Sequence, residues 1–371
     1  MERAILTTGG TGGHIFPALA VADELRRRYP GIRVLFAGSQ YGPEGALAEK
    51  AGLEFAGLPV RGFLGRGVRA LSAGVGMARA LVRATALIRR FRPQVVAGFG
   101  GYAAFAPVLA AYLCGIPTAV HEQNAVAGVS NRVLSRFSRR VFLSLPDTAG
   151  FAAGKCVMTG NPVRQSVVEV GMRARPEGRR HLLVMGGSQG ARALNEFMPT
   201  VLPRMRAAGV EIRHQTGVRD EARVRDAYRA AGYAGNCVEA FIADMAAAYA
   251  WADLVLCRSG ATSVAELTAA GVPSVLVPFP YATHDHQTRN AEILAACGAA
   301  LLAPEKDIAT LDVAGMLIRL FDEPETLRRM GQAARCRALP DAAARVVEEL
   351  ALLCGESAAA SAERQSADSK L

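Results

Sequence analysis

Ile5-Leu6-Thr7-Thr8-Gly9-Gly10-Thr11-Gly12-Gly13-His14 carries an apolar run into a glycine-rich bend, and the chain repeats the pattern at Leu182-Leu183-Val184-Met185-Gly186-Gly187-Ser188-Gln189-Gly190. Each stretch has two glycines, a hydroxyl residue and a later glycine before a helical pattern begins. The bends lie 177 residues apart in a chain of 371, about half its length. A strand that enters a helix through such a turn opens a doubly wound α/β domain, so the repeat predicts two of them. Further apolar runs at Arg33–Gly38, Gln94–Gly98, Thr118–His121, Leu254–Arg258 and Ser274–Pro278 alternate with amphipathic stretches such as Ala18–Tyr29 and Ala291–Cys297. That alternation predicts parallel sheets covered by helices on both faces.

The boundary is expected near Thr159-Gly160-Asn161-Pro162, giving an N-terminal domain over 1–161 and a C-terminal domain over 162–339. A last helix over 340–354 is expected to pack back on the N-terminal domain. Residues 355–371 hold almost nothing to bury and are expected to be disordered. Met1-Glu2-Arg3 leads straight into a strand-like run, so no signal peptide is expected. Val95–Val120 is free of charge, but Gly98, Gly100, Gly101, Pro107, Gly115 and Pro117 cut it into strand and short-helix lengths. It reads as buried strand–turn–helix–strand, too broken for a span of about 20 apolar residues.

Composition narrows the partners. Hydrophobic residues make up 51% and charged residues 20%, values of a globular chain. Lys and Arg number 43 against 33 Asp and Glu, and only four of the 43 are lysine, so the excess favours anionic partners. The seven cysteines form no C-x-x-C pair, which argues against a disulfide framework or a zinc site. With one Trp, 6% aromatics and no recognisable nucleic-acid module, nucleic acid is not expected as a partner.

Four glycine turns are placed to meet an anion: Gly9–Gly13, Gly98–Gly101, Gly186–Gly190 and Ser259–Ser263. Such a turn exposes backbone N–H groups, and the following helix presents its positive dipole end to the same point. Any one of them also suits a tight strand–helix turn with no ligand at all. No G-x-x-x-x-G-K-[ST] occurs, and the first bend lacks the third glycine and the ribose-binding acid of a dinucleotide site. There is no Asp-x-Asp, so no metal and no cofactor is expected.

The motifs, taken together, resemble the MurG family of glycosyltransferases. They are Gly9–His14, Gly98-Phe99-Gly100-Gly101-Tyr102, His121-Glu122-Gln123-Asn124, Asn161-Pro162-Val163-Arg164, Gly186–Ala191, Ser259-Gly260-Ala261 with Glu266, and His286-Gln287-Thr288-Arg289-Asn290-Ala291, in the family's order from residue 4 to about 354. The resemblance implies a GT-B fold, two Rossmann-like doubly wound domains facing across a cleft. It implies inverting, metal-independent transfer of N-acetylglucosamine from UDP-N-acetylglucosamine to the 4-hydroxyl of the N-acetylmuramic acid of lipid I. The product would be lipid II, and the place the cytoplasmic face of the bacterial inner membrane, with partners in the cell-wall and division machinery. Another GT-B enzyme, a glycolipid transferase or a sugar-nucleotide epimerase, is the alternative.

Carried over residue by residue, the resemblance marks Thr11, Gly12, Gly13, Asn124, Arg164, Ser188, Ile242, Ala261, Thr262, Ser263, Val264, Ala265, Glu266 and Gln287 as candidates for the sugar nucleotide. Gly10, Gly13, Gly100, Gly101 and Tyr102 are candidates for the acceptor diphosphate. Glu266 would accept both ribose hydroxyls, although Ser263-Val264-Ala265-Glu266 also reads as a capping box. Arg164 would add positive charge at the donor diphosphate, or lie on the surface after Pro162. His14, where the first loop enters a helix, is the candidate general base, with Glu122 as its rival; His14 binding only the acceptor diphosphate is the other reading.

Between Phe55 and His121 there is no acid, yet Arg61, Arg66, Arg69, Arg79, Arg83, Arg89, Arg90 and Arg92 fall there. At helical spacing Leu71, Val75, Ala78 and Val82 share one stripe beside Arg79, Arg83 and Arg90, with Ser72, Gly74 and Gly76 weakening the helix. The stretch reads as a peripheral contact with an anionic membrane, or as a core-facing helix with a solvated arginine face.

Overall fold

In the computed structural model, which describes residues 1–60, 68–146, 148–174, 178–187, 189–282, 285–308 and 310–356 (68–75 by backbone alone), strands and helices alternate almost throughout. The first part runs β1 (Arg3–Thr7), α1 (Gly12–Arg28), β2 (Arg33–Ser39), α2 (Glu44–Lys50), β3 (Glu54–Leu58), α3 (Val68–Phe91), β4 (Val95–Gly98), α4 (Phe105–Leu113), β5 (Thr118–Glu122), α5 (Val129–Leu134), β6 (Arg140–Leu143) and β7 (Cys156–Met158). The second runs α6 (Gln165–Met172), β8 (His181–Met185), α7 (Arg192–Ala207), β9 (Glu211–Gln215), α8 (Glu221–Ala230), β10 (Val238–Glu239), α9 (Met245–Trp251), β11 (Leu254–Cys257), α10 (Ala261–Ala270), β12 (Ser274–Leu276), α11 (His286–Ala296), β13 (Ala300–Leu302), α12 (Val313–Asp322) and α13 (Pro324–Cys336). A last helix, α14 (Ala342–Leu353), follows.

The chain divides into two compact units, Met1–Arg164 together with the chain from Asp341 onward, and Gln165–Pro340. The first holds a sheet in the order β3-β2-β1-β4-β5-β6-β7, the second a sheet in the order β10-β9-β8-β11-β12-β13. Every pairing in both is parallel. Renumbered from its own first strand, the second sheet reads 3-2-1-4-5-6, the doubly wound order, and the first is the same with one strand added. β1 and β8, the two strands of the sequence repeat, occupy equivalent places.

In the first unit, successive residues of β1 face opposite sides: Leu6 packs with Ile15, Leu25 and Phe36, Ile5 with Leu35, Ala84 and Ile88. The charge-free stretch resolves into β4, a short 3-10 turn, α4 and β5. Among the described residues no helix is long and apolar enough to cross a membrane. α1 begins six residues before the Ala18 expected from periodicity, because the glycines at its start carry no apolar pattern to read. α3 runs unbroken over Val68–Phe91 despite Ser72, Gly74 and Gly76. Of the expected tail, 357–371 lie outside the described residues, as do Arg61 and Arg66 and the side chain of Arg69.

α14 lies on the first unit's sheet, where Val346, Val347 and Leu350 complete the core that α1 begins. Polar contacts fasten it. Arg28 pairs with Glu348 at 3.2 Å and Arg140 with Glu349 at 3.3 Å. The Met1 ammonium meets Glu356 at 2.6 Å, and the Tyr29 hydroxyl donates to Glu356 Oε2 at 2.9 Å.

Two histidines are fully buried, one in each unit. Burial pushes His121 down to about 4 and His214 down to about 3. Only the neutral ring is tolerated inside, whereas the unfolded chain takes up a proton near pH 6.5. The stability that their neutral forms contribute is therefore present above pH 6.5 and is lost as pH falls toward those lower values. We expect the urea midpoint to drop between pH 7 and pH 4, with a stability slope of up to about 1.4 kcal/mol per pH unit for each histidine. His214→Phe should flatten that slope; an unchanged slope would show that the ring is not protonated on unfolding.

Candidate active site

All four glycine turns lie at the two places where the strand order reverses, after β1 and β4 in the first unit and after β8 and β11 in the second. Ligands of doubly wound sheets bind outside the carboxyl ends of strands at such switch points.

In the first unit the two turns interlock. Gly9 N–H donates to the Gly100 carbonyl at 3.2 Å, and Phe99 N–H to that of Thr7 at 2.8 Å. Gly101 has φ +77, and a Cβ there would sit 2.0 Å from the Gly9 carbonyl oxygen. A Cβ on Gly9 would sit 2.6 Å from that of Ala103. Gly10 N–H donates to Glu44 Oε1 at 2.9 Å, and Glu44 is wholly buried. Nothing in the sequence marked Glu44, since an acid in the first turn of a helix is ordinary. Tyr102, partly buried, lies beside Gly10. Thr11 caps α1 by backbone position, with no side-chain cap bond, and is exposed.

His14, in the first turn of α1, is partly buried. Its Nδ1 meets Gln123 Oε1 at 2.9 Å, and Nε2 has no hydrogen-bond partner among the described residues. Glu122 is differently placed. Its Oε1 accepts from the backbone and side-chain N–H of Asn124, at 3.1 and 3.2 Å. Its Oε2 accepts from Gly128 N–H at 3.0 Å and Asn131 Nδ2 at 2.9 Å. Four donors occupy this buried carboxylate, which makes Glu122 the anchor of the 124–131 loop. Arg164 belongs to the first unit, its guanidinium 4.8 Å above the Phe16 ring of α1. It is partly buried there.

In the second unit the β8 turn is as tight. Gly190 has φ +76, and a Cβ on it would stand 2.1 Å from the Thr216 carbonyl oxygen. Ser188 lies outside the described residues. Ile242 is buried. α10 starts at Ala261 with Gly260 as its cap and no side-chain cap bond. Thr262 and Ser263 are therefore already inside the helix, and the capping-box reading of Ser263 with Glu266 fails. Val264 and Ala265 follow on α10, Val264 buried. Glu266 is 7% exposed, and the buried Tyr249 hydroxyl donates to its Oε2 at 3.0 Å. Tyr249 lies 17 residues upstream on α9, with no motif to announce it.

Gln287 is the second residue of α11, and its Oε1 accepts from Phe279 N–H at 3.0 Å. With Oε1 so engaged, the amide NH₂ remains as a donor with no partner among the described residues. Ser259 Oγ donates to the Gln287 carbonyl at 2.8 Å, and Asn290 Nδ2 donates to the Ser259 carbonyl at 3.0 Å. The β11 turn and α11 are thus tied together. Arg258, which sequence reasoning passed over, donates to the Val277 and Pro278 carbonyls, pairs with Glu305, and lies 5.3 Å over the Phe279 ring. Among the described residues no cluster of three His, Cys, Asp or Glu could hold a metal ion.

Comparison with known proteins gives concordant matches. Residues 4–143 match the glycosyltransferase family 28 N-terminal domain and residues 181–346 the family 28 C-terminal domain. A UDP-N-acetylglucosamine–N-acetylmuramyl-(pentapeptide) pyrophosphoryl-undecaprenol N-acetylglucosamine transferase of Nitratidesulfovibrio vulgaris is 60% identical over 354 residues, covering 94% of this chain and 97% of its own. The crystal structure of Acinetobacter baumannii MurG is 35% identical, with a TM-score of 0.71 over 94% of this chain and 99% of that one. A UDP-N-acetylglucosamine 2-epimerase shares 16% identity and a TM-score of 0.65 over 96% of this chain and 97% of its own, a likeness of fold alone.

The interlocked turns predict a contrast between two glycines of positive φ. Gly31 has φ +91 with nothing within 4 Å of a built Cβ, whereas Gly101 meets backbone. Gly31→Ala should cost about 1–2 kcal/mol, the penalty of a left-handed L-residue. Gly101→Ala should cost at least about 2 kcal/mol more, because backbone must move. Equal melting temperatures for the two variants would show that the turns do not constrain each other.

Proposed function

The chain belongs to glycosyltransferase family 28 and, within it, to the UDP-N-acetylglucosamine–N-acetylmuramyl-(pentapeptide) pyrophosphoryl-undecaprenol N-acetylglucosamine transferases, and we infer that it transfers N-acetylglucosamine from UDP-N-acetylglucosamine to lipid I, forming lipid II. Its two Rossmann-like units are those of a GT-B enzyme. What carries the reading is the 60% identity along 94% of the chain, together with the placing of every glycine turn at a switch point.

In this reading the second unit binds the donor. Glu266, oriented by Tyr249, accepts from the ribose hydroxyls. The NH₂ of Gln287 donates to the sugar, and the start of α10 faces the diphosphate with its dipole. Ser188 is assigned to the diphosphate by resemblance alone. The first unit takes the acceptor diphosphate on the glycines at 10, 13, 100 and 101, with Tyr102 beside them. His14 Nε2 removes the proton from the acceptor 4-hydroxyl. As that oxygen bonds to the anomeric carbon, the bond from carbon to phosphate oxygen breaks and UDP leaves with the electron pair. A single displacement of this kind inverts the anomeric centre, and main-chain N–H groups instead of a cation stabilise the leaving charge.

The reading extends to a peripheral seat on an anionic membrane. Along α3, Ala80, Ala84 and Ile88 face the sheet, while Ala78, Arg79, Val82 and Arg83 line an open groove of about 610 Å³ with Gln40, Tyr41 and Pro59. Val82 is 71% exposed, so the apolar stripe over Ala78 and Val82 is an outward one. An exposed apolar strip edged by arginines suits the headgroup boundary of a bilayer, as an enzyme with a lipid acceptor needs.

Radiolabelled UDP-N-acetylglucosamine and a short-chain lipid I analogue test the activity directly. Label should pass to the lipid with release of UDP; transfer to diacylglycerol or to water instead would overturn the reading. His14→Ala should lower kcat by about 10²–10⁴-fold at saturating substrates, and near-normal turnover would remove His14 as the base. Anionic vesicles should bind the protein at low salt and release it near ~0.5 M, where the screening length is only a few Å. Replacing Arg79 and Arg83 together by Gln should weaken that binding by about 30-fold, at roughly 1 kcal/mol per arginine. Binding indifferent to salt would refute the electrostatic part.

A further inference from the structure

We propose that Gln123 decides which ring nitrogen of His14 carries the proton, and that His121 and two backbone carbonyls hold Gln123 to that task. The proposal rests on His14 being the base; Gln123 and His121 are positioning residues, since neither is placed to touch a substrate.

The assignment follows from groups that have only one way to bond. A backbone carbonyl can accept but never donate. Gln123 places one amide atom 2.9 Å from the Phe99 carbonyl, so that atom is the nitrogen, Nε2. The other amide atom, Oε1, therefore faces His14 Nδ1 at 2.9 Å. His121 lies 3.0 Å from the Gly160 carbonyl through its own Nε2, which must then carry the hydrogen. A neutral imidazole has one N–H and one lone pair, so His121 Nδ1 is an acceptor. It stands 3.0 Å from Gln123 Nε2, which donates its second hydrogen there. Burial of His121 keeps its ring neutral down to about pH 4, so this arrangement holds across the working range. Both ends of the chain of bonds are fixed, and every donor has an acceptor.

The consequence falls on His14. Because Gln123 Oε1 can only accept, His14 Nδ1 must donate, and its lone pair is left on Nε2. Imidazole side chains in water favour the opposite form, with hydrogen on Nε2, which would offer a substrate hydroxyl a donor where a base is needed. The relay reverses that preference. Gly100 lets the ring sit where the relay needs it, since a Cβ there would come within 2.9 Å of His14 Nδ1. A glutamine, unlike a carboxylate, orients the ring without taking its proton, so the proton gained stays on the imidazole for release to solvent.

Nitrogen NMR of protein labelled with [¹⁵N]histidine reads the tautomer without any turnover. The His14 signals are identified by their loss in His14→Gln. In the unaltered protein near pH 8 the pattern should be that of hydrogen on Nδ1; hydrogen on Nε2 would overturn the proposal outright, with no need of a folded variant. In Gln123→Met, of similar length, His14 should shift toward hydrogen on Nε2, and kcat should fall by about 10- to 100-fold, part of what the base supplies, with KM for UDP-N-acetylglucosamine within about twofold. A folded Gln123→Met whose His14 pattern does not move would also overturn the relay. If the pattern moves and kcat does not, the relay stands and the base assignment of His14 falls.

Discussion

The contact of backbone on backbone between the turns after β1 and β4 governs the first unit's site. Gly9 and Gly101 approach until a single added carbon would overlap a carbonyl oxygen. That approach lets Gly9 reach the Gly100 carbonyl, sets the start of α1 beside the β4 turn, and so brings the His14 ring onto Gly100. It also leaves the turn backbones as the chemistry on offer at the strand ends. A site built of N–H groups and helix ends is suited to phosphate oxygens, whose charge it meets without displacing a side chain. The same economy of side chains recurs at the β8 turn, where Gly190 comes against the Thr216 carbonyl.

Around those turns several polar residues are held by hydrogen bonds. Glu122 gathers four N–H donors from the loop after β5, and Asn131 bridges the His121 carbonyl to Glu122 Oε2. In the second unit Tyr249 holds Glu266, and Phe279 N–H holds Gln287. Buried polar groups cost stability unless paired, so each of these networks locks one geometry. The outer nitrogen of His14 and the amide NH₂ of Gln287 have no hydrogen-bond partner among the described residues.

The chain itself announced the parallel sheets, the repeat, the glycine turns and the family. The strands legible in it are the central ones, β2, β1, β4 and β5 in one sheet and β8, β11 and β12 in the other. Helices cover both faces there, so these strands read as apolar runs. The outer strands passed unnoticed because residues such as Glu54, Arg140, Glu211 and Arg213 dilute their apolar pattern. Glu266, His14 and Gln287 were visible as members of motifs. Their partners Tyr249, Gln123 and Phe279 were silent, because an isolated tyrosine or phenylalanine reads as core, and Gln123 sat in a quoted motif with no role.

Sequence alone therefore determined which residue types stand at the strand ends, since strand-end glycines and helix starts are local features set within a few residues. Only the tertiary structure decided how the polar side chains are oriented. Glu122 gathered the donors of its loop, Arg164 stacked on Phe16, and α10 began before its apparent capping box. In the proposed relay His14 takes its tautomer from Gln123, 109 residues away in the chain. Hydrogen-bond direction depends on which atoms folding brings to within 3 Å, and no local pattern encodes a contact between turns so far apart in sequence.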